Sequence, residues 1–314
     1  MKILVTGCAG FIGANFCEYM LNKYPSDSIV GVDCLTYAAN MEALEGLKNR
    51  ENFRFYKENI CDAYAIDMIF AAEKPDLVIN FAAESHVDNS ISDAGVFIKN
   101  NFLGTQVLLD VAVKYGVKRF HQISTDEVYG DLPIESNERF DENAMLKPSS
   151  PYSASKAAAD LLALSYMRTH GLPVSISRSS NNYGKYQHNE KLIPMTIKQM
   201  LSGKPIPLYG DGSNIRDWLY VLDHCRAIDM IIRAGECGIY NVGADNEWSN
   251  IDLVRKIAEL LEIPDAKTIF VEDRKGHDRR YPIDSTKIRS LGWKPEAGVE
   301  RELKATVEWY RDRI

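Results

Sequence analysis

The chain reads as an α/β protein: a Rossmann-like, doubly wound parallel sheet with a smaller mixed α/β substrate-binding domain built on it. Across residues 1–180, apolar runs of strand length alternate with longer runs whose apolar positions recur at helical spacing. Near-continuous apolar strands joined by helices imply a parallel sheet covered on both faces. A glycine-rich turn, "TGCAGFIG" (6–13), stands between the first strand and the first helix and predicts what the sheet holds.

The elements follow in order. "KILVTG" (2–7) predicts a strand and "ANFCEYMLNKY" (14–24) a helix. "SIVGVD" (28–33) and "FRFYKEN" (53–59) are strands, followed by the helix "AYAIDMIFAAEK" (63–74). "DLVINFAA" (76–83) is a strand, a helical stretch covers about 93–115, and "RFHQIS" (119–124) is a strand. "SASKAAADLLALSYMRTHG" (153–171) is a long helix with a glycine stop signal, and "PVSISRSS" (173–180) a further strand. The pattern then loosens. "NNYGKYQHNEKLIP" (181–194) reads as a loop and "MTIKQMLSG" (195–203) as a short helix. "DWLYVLDHCRAIDMIIRAG" (217–235) and "GIYNVG" (238–243) return to the sheet domain. "NIDLVRKIAELLEI" (250–263) is an amphipathic helix, "TIFVED" (268–273) a short strand, and 300–314 a terminal helix. The expected division is a sheet domain over 1–180, with a returning segment near 216–243, and a smaller domain mainly over 181–314.

The 314 residues are 45% hydrophobic and 26% charged, enough for one large domain or two smaller ones. The net charge of -7 is mild and its acidic residues are dispersed, which excludes a nucleic-acid surface or a polybasic membrane patch. Cys8, Cys17, Cys34, Cys61, Cys225 and Cys237 form no CxxC pair and no metal-ligand spacing, and read as buried reduced thiols of a cytoplasmic protein. No segment is long and apolar enough to span a membrane. The first 13 residues read as strand and turn rather than as a leader.

The glycine turn carries Gly7, Gly10 and Gly13 at GxxGxxG spacing. Glycines there permit a tight turn and close approach of backbone to a pyrophosphate, and the next helix offers its N-terminal N–H groups. Asp33 ends the second strand about 20 residues later, where a ribose-binding carboxylate belongs. A carboxylate hydrogen-bonds ribose hydroxyls and repels a 2′-phosphate, so the expected cofactor is NAD rather than NADP.

Tyr152 and Lys156 of "YSASK" stand at i, i+4, on one face of a helix. An ammonium beside a phenol would lower the phenol's pKa, and Thr125, at the end of the fifth strand, can direct a hydroxyl at the same substrate oxygen. After Thr125 come two carboxylates, Asp126 and Glu127, in "ISTDEVYG" (123–130). Adjacent carboxylates at a core strand's end are costly unless solvated, paired or used. Successive strand side chains face opposite ways, so the pair can share one site only if the strand has ended by then. His121, inside an apolar strand, reads as a satisfied core residue.

Together, "TGCAGFIG", "YSASK" and "ISTDEVYG" resemble the extended short-chain dehydrogenase/reductase superfamily, in its nucleotide-sugar branch. "FAAESHVDNSI" (81–91), "SNNYG" (180–184), "EKLIP" (190–194), "IRDWLYVLDH" (215–224) and "GHDRRYPID" (276–284) extend the likeness over essentially the whole chain. The likeness is to the dTDP-glucose 4,6-dehydratases. It implies a lyase acting on a nucleotide-sugar substrate. Tyr152 would remove the O4 proton while hydride passes from C4 to NAD. The 4-ketone would acidify C5, Glu127 would take the C5 proton, Asp126 would protonate the leaving hydroxyl at C6, and hydride would return to C6. The superfamily's epimerases keep the hydroxyl and the Tyr–Lys pair; the Asp–Glu step marks the dehydratases.

The same resemblance implies the remaining site. Phe11 and Ile12 would lie against the pyrophosphate, with Asp33, Cys34, Leu35 and Thr36 around the adenosine ribose. Asn59, Ile60, Phe81, Ala82, Ala83, Glu84, Asn100 and Asn182 would complete the cofactor pocket. Ser85, Asn181, Lys191, Leu192, Pro207, Tyr209, Asn250, Asp273 and His277 would bind substrate. Arg216 would bind the diphosphate, a role suited to a guanidinium's bidentate geometry. Asn59 stands where the family has Asp, Asn100 where Thr is common, Lys275 where "DRPGH" has Pro, and "HNEK" where "FPEK" is usual. These departures leave base selectivity open. The alternatives are the same reaction on a UDP-sugar, or a related NAD-dependent epimerase or decarboxylase. The resemblance also implies a homodimer formed through the helices near 93–115 and 155–170.

Overall fold

The computed structural model describes residues 1–296 and 298–313. Its strands are β1 (Lys2–Thr6), β2 (Ser28–Val32), β3 (Phe53–Tyr56), β4 (Leu77–Asn80), β5 (Arg119–Thr125), β6 (Val174–Ser179), β7 (Asn181–Tyr183), β8 (Ile206–Tyr209), β9 (Ile215–Tyr220), β10 (Gly238–Val242), β11 (Glu247–Ser249) and β12 (Thr268–Val271). Seven of them form one parallel sheet in the order β10-β6-β5-β4-β1-β2-β3. The connections therefore run outward in both directions from β1, and the order reverses between β1 and β4. Ligands of open α/β sheets bind at such a reversal, beyond the strands' carboxyl ends. Here the two ends are tied together, Thr6 Oγ1 donating to Asn80 Oδ1 at 2.6 Å.

Apolar clusters cover both faces of this sheet. One packs Ile3, Val5 and Ile79 under Phe16, Met20 and Ile228, from helices Phe11–Lys23 and Val221–Ala234. The other packs Leu4, Val78 and Phe120 under Phe70, Leu108 and Ala163, from helices Ala63–Glu73, Gly104–Lys114 and Pro151–His170. Each such fully buried Ile, Leu or Phe contributes roughly 1.5–3 kcal/mol of burial free energy. His121, completely buried on β5, bonds Ser175 Oγ through Nδ1 at 2.8 Å and Ser177 Oγ through Nε2 at 3.1 Å, the satisfied core residue expected.

The second half builds smaller sheets, β11-β9-β7 and the parallel pair β12-β8. Helices Leu192–Leu201, Asn250–Leu260 and Val299–Arg311 enclose a third cluster of Ile193, Ile197, Leu253, Ile257, Leu303 and Val307. Three features depart from expectation. The segment read as a loop from 181 contains β7, which pairs in parallel with β9. The stretch 217–235 divides, because β9 stays with the small sheet and only the helix Val221–Ala234 and β10 rejoin the large one. The stretch 93–115 is interrupted: a π-helical segment, Ile98–Leu103, precedes the helix Gly104–Lys114. Of the six free cysteines, only Cys8, Cys17 and Cys225 are buried; Cys34 and Cys237 are exposed and Cys61 is half-buried, contrary to the expectation of six buried thiols.

Candidate active site

A continuous cleft runs over the carboxyl ends of β1, β4, β5 and β6. Its first part, of about 110 Å³, is lined by Gly7, Gly10, Asp33, Cys34, Thr36, Asn59, Ile60, Phe81, Ala82, Ala83, Glu84 and Asn100. These are residues that the sequence reading expected around the adenosine and adenine, brought together in one cavity. Gly7 has φ +66°, and a Cβ on Gly13 would stand 2.2 Å from the carbonyl oxygen of Gly7, so the turn closes only without side chains there. Asp33 accepts from Ala9 N at 3.0 Å and Leu35 N at 2.8 Å. Burial raises its pKa and those N–H groups oppose the rise. Leu35 differs from expectation: it does not line this cavity but takes φ +57° and gives Asp33 its N–H. Asn101, next to Asn100 in the π-helical segment, clamps Glu84 by accepting from its N–H at 2.8 Å and donating to its carbonyl at 3.0 Å. A glycine cradle at a helix start, a carboxylate at the end of the neighbouring strand and an enclosed slot between them fit NAD's pyrophosphate, ribose and adenine.

The middle of the cleft, about 270 Å³, brings together Phe11, Ile12, Gly13, Ser85, Thr125, Asp126, Glu127, Tyr152, Lys156, Asn181, Asn182 and Lys191. The geometric condition on the acidic pair is met. β5 ends at Thr125, and Asp126–Tyr129 form a single 3₁₀ turn. Thr125 caps it, its Oγ1 accepting from Glu127 N at 3.2 Å. Both carboxylates thus leave a turning backbone and line the same cavity.

Their environments differ. Asp126 is buried, and its Oδ2 has no hydrogen-bond partner among the described residues. Burial, then the charges of Glu127 and Asp217, push its pKa well above the usual carboxylate range. Burial also raises Glu127, and Asp278 adds to the rise, but Arg216, Lys191 and Arg274 oppose it and limit how far it goes. The arrangement holds a proton more firmly on Asp126 than on Glu127, which alone of the two has cations opposing its rise so broadly. The Tyr–Lys pair departs from the expected picture. Lys156 Nζ donates to the carbonyl oxygen of Ile123 at 2.6 Å, and burial lowers its pKa to about 8. Burial and the charges of Glu127 and Asp126 push the Tyr152 phenol up rather than down, with the Thr125 hydroxyl opposing. The protein alone does not make Tyr152 acidic, because burial and the two neighbouring carboxylates outweigh the Thr125 hydroxyl.

The outer part, about 420 Å³, is lined by Ser85, Glu127, Asn181, Lys191, Leu192, Pro207, Tyr209, Arg216, Asn250 and His277, with Arg274 and Tyr281. Arg216 is buried and its guanidinium is held by carbonyls: Ile215 O at 2.8 Å, Arg279 O at 3.3 Å and Asp278 O at 2.8 Å. It stacks 4.4 Å from the Tyr281 ring centroid and forms no ion pair among the described residues. A buried cation without a carboxylate suits an incoming anion. Asp273 is the one expected substrate residue absent from the walls of the cleft; it stands behind two wall residues, accepting from Arg274 N at 2.9 Å and meeting His277 Nδ1 at 2.6 Å. Among the wall residues not singled out in the sequence, Asp88 and Tyr281 make contacts that shape the site. Asp88 pairs with Arg274 Nε at 2.9 Å and accepts from Tyr209 Oη at 3.0 Å. Tyr281 donates to Asn181 Oδ1 at 3.2 Å. Both lie inside motifs already singled out, "FAAESHVDNSI" and "GHDRRYPID", but only the fold shows that they face the cleft.

A family model described as GDP-mannose 4,6 dehydratase matches residues 4–306. The chain belongs to that family. Among its relatives, the dTDP-glucose 4,6-dehydratase of Shigella flexneri is 49% identical over 99% of this chain and 92% of its own length. The low-salt glycan biosynthesis protein Agl12 of Haloferax volcanii is 48% identical over 99% and 98%. The solved structure of DesIV, a dTDP-glucose 4,6-dehydratase from Streptomyces venezuelae with NAD bound, superposes with a TM-score of 0.95 at 43% identity, covering 99% of this chain and 97% of that one. A UDP-glucose 4-epimerase from Thermotoga maritima shares the family's architecture with a TM-score of 0.92 at 31% identity, covering 100% and 99%.

Proposed function

We propose that this chain is an NAD-dependent dTDP-glucose 4,6-dehydratase, producing dTDP-4-keto-6-deoxyglucose and water. The observation that carries the reading is the capped turn after β5, which sets an acid-leaning Asp126 and a base-leaning Glu127 in the cavity that also holds Thr125 and Tyr152. An epimerase needs no such pair. NAD, when bound, supplies the hydride acceptor for C4 and the hydride donor for C6.

The roles of this chain's residues follow from placement. Gly7, Gly10, Gly13 and Asp33 hold the cofactor, and Arg216 with Lys191 meets the substrate diphosphate. Tyr152 Oη takes the O4 proton. Its raised pKa means that it needs positive charge from the loaded site to act as a base, and Lys156 needs to be released from Ile123 or to act through ribose hydroxyls. Thr125 shares the O4 hydroxyl. Once C4 is a ketone, Glu127 takes the C5 proton and Asp126 gives its proton to the departing O6, an elimination that leaves both groups in the opposite state. Return of a proton to C5 from Glu127 restores it, and the proton that Tyr152 took from O4 is released as Asp126 takes one up, which closes the balance. The substrate lies between the sheet domain and a smaller domain contributed mainly by 181–314. The active unit is a homodimer, supported by exposed Ile98, Leu103 and Leu161 on neighbouring helices. The test is incubation of the purified chain with dTDP-glucose and, separately, UDP-glucose, with NMR detection of a 4-keto-6-deoxy sugar. Product from dTDP-glucose in clear preference is expected; C4 epimer alone would sink the reading.

A further inference from the structure

Behind the reactive residues lies a buried polar chain that the reaction as described does not use. Asp160 stands one helical turn beyond Lys156, and its Oδ2 accepts from Ser124 Oγ and from Arg178 Nε, both at 2.9 Å. Arg178 projects from β6, and its second nitrogen donates to Tyr129 Oη at 3.0 Å. Its guanidinium also sits 4.9 Å from the Tyr129 ring centroid. Tyr129 Oη in turn donates to Asn241 Oδ1 on β10 at 2.7 Å. Asn241 is fixed by Glu142 through its N–H and by the Phe140 carbonyl through its amide, and Phe140 stacks on Tyr129 at 5.2 Å and 15°. Asp160, Arg178, Tyr129 and Asn241 are all buried.

Such a pair is an odd choice for stability. Removing two charges from water is costly, and well-packed apolar residues of similar volume often serve as well or better. What the pair does geometrically is distinctive. Tyr129 is the last residue of the 3₁₀ turn that begins at Asp126, and Ser124 immediately precedes Thr125. The chain from Asp160 therefore grips the segment on both sides of the three residues at the sugar. It also links that segment to the helix that carries Tyr152 and Lys156. Asp160 is the carboxylate whose charge opposes the desolvation of the Lys156 ammonium.

We propose that Asp160, Arg178 and Tyr129 are positioning residues that fix the Asp126–Glu127 turn relative to the Tyr152–Lys156 helix, so that elimination is aligned with the ketone formed at C4. This rests on the dehydratase reading. A turn anchored at one end only would swing the two carboxylates while leaving Thr125 and Tyr152, on the strand and the helix, in place. The elimination step should therefore suffer and the oxidation step should not.

The test mixes NAD-loaded protein with dTDP-glucose in a stopped-flow instrument and follows absorbance at 340 nm, with C5 deuterium uptake from D₂O read separately by NMR. Tyr129→Phe deletes one oxygen and keeps the ring; Arg178→Lys keeps the charge opposite Asp160 and removes the second arm. Each should keep the 340 nm rise, lose about ten- to a hundredfold in its decay, and slow C5 exchange in step. Melting temperature and NAD retained through gel filtration should match the wild type. An unchanged decay, a rise and decay slowed together, or an unfolded Tyr129→Phe protein would each overturn the proposal, the last two by making the network merely structural. A wild-type chain that gives no 340 nm transient would instead sink the dehydratase reading itself.

Discussion

Asp126 combines two demands that conflict in a folded protein. The acid role proposed for it requires a proton near neutral pH, and burial beside Glu127 and Asp217 favours that by raising its pKa. A carboxyl whose folded pKa lies above the unfolded value, near 3.8, contributes stability below that value. The contribution is lost as pH rises through the folded pKa. Asp126→Asn carries no such penalty at any pH. Its melting temperature should exceed the wild type's by about 2 °C or more at pH 8, and the difference should shrink toward pH 4, while turnover is lost. Calorimetry at the two pH values checks the sign. Glu127→Gln tests the complementary role. It should retain NAD through gel filtration and still oxidise C4, yet lose C5 deuterium exchange and roughly 10²–10⁴-fold in product formation. Product formed at the wild-type rate would remove Glu127 from its role.

The 3₁₀ turn is the element on which the site depends, and Gly130 ends it. Gly130 has φ +87°, and a Cβ there would meet the Lys147 carbonyl oxygen at 2.3 Å. The neighbouring Lys147 N–H donates to Val128 O at 3.1 Å, so the 147 segment cannot retreat without breaking that bond. Gly130→Ala should therefore destabilise the fold by about 1–3 kcal/mol, measured by urea unfolding, and reduce turnover more than NAD retention. At this scale the sequence was informative where pattern is local. The glycine turn, Asp33, the strands of the large sheet and the Tyr152 helix follow from periodicity and caps. It was silent where a residue's role depends on a distant partner. Strand β7 is three residues long and exists because β9 lies beside it. The direction of the Tyr152 shift turned on burial and on the charges of Glu127 and Asp126, which the fold brings around the phenol, while Lys156 donates to the Ile123 carbonyl, 33 residues away in the chain. Asp88 and Arg274, 186 residues apart, meet only across the folded cleft.

At the scale of the whole molecule, the sheet's second helical layer carries exposed apolar side chains on its outer side. The segment 94–114 and the helix Pro151–His170 lie side by side, and their outward positions include Ile98 at 53% exposure, Leu103 at 46% and Leu161 at 58%. Single exposed apolar residues are ordinary, but three on adjoining helices form a patch of the kind that marks an association site. Two copies of one patch related by a two-fold axis would bury it against itself, helix pair on helix pair, the simplest closed assembly. The same helix begins with Tyr152 and Lys156, so association would also stiffen the element that presents them. Leu161→Glu places a charge on each side of the axis. It should convert a dimeric mass to a monomeric one by light scattering at micromolar concentration, and lower the melting temperature in a way that no longer depends on protein concentration. A wild-type protein already monomeric at that concentration would leave the patch without this partner.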